Sequence, residues 1–477
     1  MTLLWIPVGM ILPALSGWFL LRILENRTPV LLRLERWVLG FLLGLTGTME
    51  LTFLARWAGL ITLNRWGFLS VQLILTALLA IAFIIGRLLS PSNLNLTPTP
   101  KALRPTPFIL KILLVLALLW TVVKLAMGSF ILVTTPPFYD DTVKNWNLRG
   151  KIFYLTGNIP LSLNTQDPKA TDPLSSYPPT VPLVKASLAS LAGRWDEGIV
   201  NGIHALWFFA LIALLYAALR RQSSRLFGLW GIVVFVSLPF ALFQGVNAYA
   251  DIFVAAHLFA AVHLLFLAAR EQDNARRDTF LRLFALATAL LTFTKNEALI
   301  LHLPVLLALF AGLLVLRFRK RHMTAGMCVR AVAWMGGFLL VLLLPWLCYK
   351  WGNALTFGNA KSIGGTFAGW QPYVLSTLWA NTFFEGNWHL LFPLLFALVL
   401  CRWKALRSPL LIPAGFLFVS LAMQIGLFLF TSLSAEATMQ TGFARGVVQL
   451  SPVAVFLLML FLHGIFVDPK DSAIGQN

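Results

Sequence analysis

Runs of about 20 apolar residues recur along nearly the whole chain, each long enough to cross a hydrocarbon core of about 30 Å as a helix. They fall near 3–24, 37–60, 68–89, 108–133, 199–219, 226–247, 251–269, 280–294, 298–316, 331–349, 388–401, 409–432 and 446–466. The pattern predicts an all-α polytopic membrane protein of about 13 transmembrane helices, because a backbone in lipid must satisfy its own hydrogen bonds. With 58% hydrophobic and 12% charged residues and a mean hydropathy of +0.80, a water-soluble chain of this length is excluded. Cys328, Cys348 and Cys401 lie in or beside apolar runs without paired spacing, so neither a disulfide framework nor a metal motif follows.

The net charge of +19 would suit a nucleic-acid binder, but the cations sit in short clusters between apolar runs and mark topology instead. Alternating the sides puts 24 of the 37 cations in one set of connections, among them Arg33, Arg36, Arg220, Arg221, Arg270, Arg276, Arg277, Arg317, Lys320, Arg402 and Arg407. The opposite set holds 12, half of them in the single long loop 134–198, and Lys124 is left inside a span. The cation-rich set is therefore cytoplasmic. The first cations, Arg22 and Arg27, follow the apolar run from Leu3 to Leu21, which predicts an uncleaved span starting outside. The loop 134–198, the turn around Asn247 to Asp251, the segment around Lys295, and the loops 352–387 and 434–445 then share the external face.

The long external loop opens where Pro136 and Pro137 stop a helix, and Asp140-Asp141 follows at the start of the next, where carboxylates complement the helix dipole. Val143, Trp146, Gly150 and Phe153 recur at helical spacing while Lys144, Asn145 and Lys151 fall on the other side, which predicts a helix lying flat in the interface. The stretch from Gly157 to Pro182, with Asp167, Asp172 and Tyr177-Pro178-Pro179, is irregular. A second short helix, Val181 to Leu191, is expected on the membrane surface through Leu183, Val184, Leu188 and Leu191.

Three further polar groups interrupt apolar runs. Tyr249-Ala250-Asp251 places an acid at a span edge, where ionisable groups usually face a functional cavity; a helix cap is the alternative. Lys295-Asn296-Glu297 sets a cation, an amide and an acid side by side, suited to a phosphate or a sugar, with a local Lys295–Glu297 pair as the alternative. Arg445 is the lone cation before the last span; its planar fork suits phosphate oxygens, and snorkelling to lipid headgroups is the alternative. Lys350 and Lys361 are lesser candidates of the same kind. Glu385 beside Trp388 and His389 reads as an interface anchor, and His204, His257, His263 and His302 as packed or pore-lining.

Tyr139-Asp140-Asp141 with Trp146-Asn147-Leu148-Arg149 and Lys151, Tyr177-Pro178-Pro179, Tyr249-Ala250-Asp251 and Thr294-Lys295-Asn296-Glu297 together resemble the bacterial C-type (GT-C) membrane glycosyltransferases. These are similar to the protein O-mannosyltransferases and the lipid A aminoarabinose transferase. The resemblance covers about residues 108–466 as a catalytic module carrying the loop 134–198. It leaves 1–107 as three additional transmembrane helices and 467–477 as a short cytoplasmic tail. Ala298 departs from it, since glycine is expected after the Lys-Asn-Glu.

The resemblance implies an acid at the start of the first large external loop acting on the acceptor, with a polyprenyl-phosphate sugar as donor. Asp141, five residues before Trp146, is preferred to Asp140 on that pattern. The acceptor is a lipid, glycan or protein, and membrane lipids are the other partners; no nucleic acid is expected. In chemical terms, a carboxylate takes the proton of an acceptor hydroxyl as it attacks the anomeric carbon, while Arg445 and Lys295 neutralise the departing lipid phosphate. Asp251 and Glu297, with Tyr249 and Asn296 beside them, would orient the sugar, the acceptor or a divalent cation; no other cofactor is implied. The expectation is a glycosyltransferase of the bacterial cytoplasmic membrane working on its outer face. The rival readings are a transporter or flippase of a lipid-linked substrate, in which the same charges line a path, and an inactive envelope-assembly partner.

Overall fold

The computed structural model describes residues 2–26, 28–89, 108–139, 141–163, 171–357, 367–439 and 441–466. Asp140, Asp167, Lys361 and the tail 467–477 therefore lie outside the described residues. The fold is all-α. Helices α1 (Trp5–Glu25), α2 (Arg33–Trp57), α3 (Arg65–Leu89) and α4 (Phe108–Thr134) come first, followed by α5 (Arg149–Thr156) and α6 (Thr180–Ala192) in the long loop. Next are α7 (Glu197–Gln222), α8 (Arg225–Ser237), α9 (Pro239–Gly245), α10 (Asp251–Arg270), α11 (Asn274–Leu291) and α12 (Leu303–Arg319). The chain continues through α13 (Ala325–Phe338), α14 (Leu344–Gly352), α15 (Val374–Phe383), α16 (Leu391–Cys401), α17 (Leu411–Phe430), α18 (Ser434–Thr438) and α19 (Phe443–Phe466).

Among the described residues, 10 helices are long and apolar enough to cross a membrane, or 11 if a bent pair counts as one span. The expected number of about 13 is not reached by that measure of length and composition, and three of the expected runs fall short of it for local reasons. The run 226–247 is broken by 83° between α8 and α9, where Pro239 cannot donate to the preceding turn. The run 280–294 belongs to α11, which starts at Asn274, carries Arg276, Arg277, Asp278 and Arg282, and ends before Thr292. The run 388–401 yields only the 11 residues of α16, about 16 Å of helix against a core of about 30 Å.

The loop helices also differ from expectation. Asp141–Leu148 winds as a π-helix, and its wider turn rotates the buried face: Thr142, Asn145, Trp146 and Asn147 are buried while Val143 is 40% exposed. A 3.6-residue period assigns Val143 and Asn145 the other way round. Helix α6 is not on the surface at all. Every residue from Thr180 to Leu191 is buried, enclosed by α1, α2, α3, α5 and α7. Its one charged residue, Lys185, needs no water, because its Nζ donates to Asn147 Oδ1 and, at 2.8 Å, to Asn201 Oδ1.

The first three helices are packed into this body rather than appended to it. Helices α1 and α2 cross at glycines: a Cβ on Gly17 would lie 1.9 Å from the Gly40 carbonyl oxygen, and one on Gly44 2.1 Å from that of Pro13. Buried Glu35 accepts from Arg221 Nη1 at 2.6 Å and Leu32 N at 2.9 Å, tying α2 to α7. Glu25 accepts from the Val30 and Leu31 amides, each at 2.8 Å, and from Arg36 Nε at 2.7 Å, which closes the turn between α1 and α2.

The glycine crossing makes a comparison possible within one helix. Gly44→Ala should destabilise the protein by about 1–3 kcal/mol, because backbone has to move. Gly47→Ala, whose Cβ would meet only Leu290 Cδ2 at 3.7 Å, should be tolerated. Thermal unfolding of the two variants in detergent checks this; equal midpoints would contradict the close crossing.

Candidate active site: a charge cluster at one membrane face

Four segments deliver ionisable groups to one end of the bundle: the chain after α4, the start of α10, the connection from α11 towards α12, and the start of α19. Asp251 is the first residue of α10 and is fully buried. Its Oδ1 accepts from Lys295 Nζ at 2.9 Å and Gln449 Nε2 at 2.8 Å, and its Oδ2 from Arg445 Nε at 2.9 Å. All three donors come from other elements, so the carboxylate serves a cluster rather than capping its own helix. Arg445 then reaches with Nη1 to Asp141 Oδ2, bridging two acids with one fork. The ring of Tyr249 lies 5.0 Å from the guanidinium and in turn contacts the Tyr139 ring at 5.7 Å. Arg445 therefore turns into the protein instead of snorkelling to headgroups.

Lys295 pairs both locally and at long range, since its Nζ is also 2.9 Å from Glu297 Oε1. Burial alone would depress this ammonium, but the carboxylates of Asp251 and Glu297 more than offset it and hold its pKa above the ordinary lysine value. Burial raises the pKa of Glu436 and carries that of the Tyr249 phenol up to about 12.

These groups surround a cavity of about 240 Å³. Its polar lining includes Asp141, Asp251, Lys295, Asn296, Glu297, Glu436, Arg445 and Gln449, and its apolar lining Ile300, Leu301, Leu427, Phe428 and Leu433. Asn296 Nδ2 and Glu297 Oε2 are buried without a partner among the described residues. Lys350 is buried nearby, donating to the Ser176 carbonyl and, at 3.5 Å, to Asn296 Oδ1, with its ammonium 5.0 Å from the Trp346 ring. No group of three His, Cys, Asp or Glu gathers in metal-ligand fashion among the described residues.

Sequence inspection brings Asp141, Asp251, Lys295, Asn296, Glu297, Tyr249 and Arg445 to attention, and all of them meet here. It misses Gln449, which bonds Asp251 and through Oε1 meets His302 Nε2 at 3.1 Å. The signal was available, because Gln449 stands one turn after Arg445 on the same face of α19. It also misses Glu436, which lines the cavity from the short helix α18, and gives Tyr177 no site role although it lines the cavity as well. Glu385 and His389 stay apart from the cluster, bonded to Asn381 at 2.8 Å and to the Ser237 carbonyl at 3.0 Å.

No protein-family profile and no curated protein matches the sequence. Two solved structures of ArnT from Cupriavidus metallidurans do match the fold. The apo state is 14% identical with a TM-score of 0.51, and the state bound to undecaprenyl phosphate is 17% identical with a TM-score of 0.50. Each alignment covers 76% of this chain and 61% of the ArnT chain, so this protein spans under two thirds of ArnT's length. The fold is thus the GT-C-like fold that the sequence resemblance implies.

Arg445 and Asp251 form a buried pair whose coupling is measurable. Arg445→Met should destabilise the protein by roughly 3–5 kcal/mol, because Asp251 loses its closest guanidinium while staying buried. Adding Asp251→Asn to that variant should restore part of the loss, giving a coupling energy of roughly 1–3 kcal/mol in a double-mutant cycle read by chemical unfolding. Strictly additive losses would mean that the two side chains do not depend on each other.

Proposed function

We propose that this protein is a glycosyltransferase that moves a sugar from a polyprenyl-phosphate donor to an acceptor at the outer face of the cytoplasmic membrane. The observation that carries this reading is the cavity itself, where two cations, a partly exposed acid and further polar side chains share about 240 Å³ with apolar ones. Each part answers one part of such a donor. Arg445 and Lys295 meet the phosphate, Ile300, Leu301, Leu427 and Phe428 receive the first isoprene units, and the Asn296 and Glu297 side chains orient the sugar.

Asp141 is the base on this reading. Its side chain is 38% exposed, against 0% for Asp251, so an acceptor reaches the first and not the second. The acceptor oxygen attacks the anomeric carbon, the bond from that carbon to the phosphate oxygen breaks, and the acceptor's proton passes to the Asp141 carboxylate. The leaving group is polyprenyl phosphate, whose growing charge Arg445 and Lys295 neutralise in a site screened from water. Asp251 keeps both cations charged and aimed, without touching the reacting atoms.

The transporter alternative calls for polar groups at successive depths. Asp251 opens α10, Arg445 is the third residue of α19, and Lys295 and Glu297 precede the span Ala298–Arg319, so all stand at helix ends on one face. That arrangement supports chemistry at a surface over passage through the bilayer.

Reconstituted vesicles offered a panel of polyprenyl-phosphate hexoses and pentoses test the assignment. Asp141→Asn should reduce transfer by about 10²-fold or more while donor binding persists. Lys295→Met should instead weaken binding of the polyprenyl phosphate itself. Undiminished transfer by Asp141→Asn, and by Asp140→Asn made separately, would remove the catalytic role from this loop.

A further inference from the structure

A second and larger cavity, of about 510 Å³, lies at the other end of the same helices. Helix α10 begins at Asp251 in the first cavity and ends at Arg270 in the second; its 20 residues set the two roughly 30 Å apart. The span Ala298–Arg319 likewise runs from Ile300 and Leu301 to Leu313 and Arg317, and α17 runs from Phe428 back to Ile412. The second cavity therefore opens at the opposite membrane face, the one where the sequence concentrates its cations.

Its lining divides by polarity. Leu309, Leu313 and Ile412 form an apolar wall between α12 and α17, and Arg270, Arg317, Lys320 and Arg407 stand along its rim. No aspartate or glutamate is among the lining residues. Arg270 donates to the neutral Gln222 Oε1, and Arg317 to the Ala269 carbonyl and towards His322 Nδ1 at 3.2 Å, so hydrogen bonds orient them while their charge stays uncompensated. The Arg407 guanidinium lies 4.8 Å over the Trp403 ring, and that indole is half exposed, as at a bilayer interface. Among the described residues none of these four cations has a salt-bridge partner, whereas Arg276, Arg282 and Arg330 on the same face all pair with acids. Topological marking accounts for cations on this face. It does not account for their enclosing a groove that holds no acid and continues into the hydrocarbon depth.

We propose that this groove binds an anionic glycerophospholipid, with the phosphate held by Arg317, Lys320 and Arg407 and an acyl chain laid along α12 and α17. A basic rim above an apolar slot between transmembrane helices complements that lipid and no soluble anion, which would leave the slot unfilled. The bound lipid joins the ends of α10, α12 and α17, whose far ends position Asp251 and line the first cavity. The site stands apart from the transfer reaction and is testable whether or not that reaction occurs.

The full chain in a neutral detergent, titrated with phosphatidylglycerol or with phosphatidylcholine of the same acyl chains and read by native mass spectrometry, decides it. Phosphatidylglycerol should bind at least tenfold more tightly. Lys320→Gln with Arg407→Gln, both at exposed positions, should weaken it about thirtyfold, as expected for two lost charges near a membrane surface, and Lys320→Arg with Arg407→Lys should retain it. Equal binding of the two lipids would overturn the proposal, as would full retention in the glutamine variant. Displacement of phosphatidylglycerol by millimolar inorganic phosphate would reduce the site to a free-anion site and overturn the lipid assignment. Polyprenyl phosphate occupying the groove in preference to phosphatidylglycerol would overturn it equally.

Discussion

The carboxylate of Asp251 is the constraint on which the site depends. A fully buried charge at the start of a membrane helix is tolerated only if nearby donors replace the water it has lost. Here the donors come from Lys295, Gln449 and Arg445, so the connection before α12 and the first turns of α19 must stand in a fixed register against α10. The local backbone makes that register attainable. Helix α11 stops at Leu291, the next residues turn, and the carbonyl of Phe293 is satisfied by the hydroxyl of Thr180 from buried α6. The long loop thereby holds the segment that carries Lys295, and Asp141, in the same loop, completes the cluster through Arg445.

Much of this was legible in the sequence because an ionisable residue in or beside an apolar run stands out by its cost alone. Asp251, Lys295 and Arg445 needed no neighbours to be noticed. Gln449 does not stand out, because an uncharged amide in a span is far cheaper and reads as a tolerated polar residue. The faces of the 141–148 segment escape a periodicity argument because the winding, not the residue order, decides which side is buried, and a π-turn leaves no compositional mark. The sequence of α6 suggests a surface helix because its apolar stripe is one-sided; the pairing of Lys185 with Asn147 and Asn201, from segments on either side of it, lies beyond any periodicity. Hydropathy likewise measures a run and does not see the bend at Pro239.

The first three helices illustrate how burial and function connect at a distance. Helix α6 is short and apolar on most sides, so it can be interior only if something covers it, and α1, α2 and α3 do so. Phe53 of α2 packs against Phe293, at a ring separation of 5.6 Å, two residues before Lys295. The close glycine crossing of α1 and α2 and the ion pair from Glu35 to Arg221 are thus part of what holds the cluster-bearing turn in place. The helices that the family resemblance left unexplained support the site from behind.

On the proposed reading, the charges around the cavity bear on how a phosphate would enter. Asp141, Asp251 and Glu297 outnumber Arg445 and Lys295, so the site does not wait as a bare positive pocket; both cations are already engaged. A phosphate must replace a carboxylate, and the two partners of Arg445 differ in how readily they can be replaced. Asp251 has no access to water and would be left as an uncompensated buried charge, whereas Asp141 is partly exposed and can be solvated when released. The guanidinium should therefore keep Nε on Asp251 and turn its outer nitrogen from Asp141 to the incoming phosphate. Release from that ion pair leaves the Asp141 carboxylate oxygen free to meet an acceptor hydroxyl. On the proposed reading, donor binding and the freeing of Asp141 are one event, and an acceptor arriving before the donor meets a carboxylate still held by arginine.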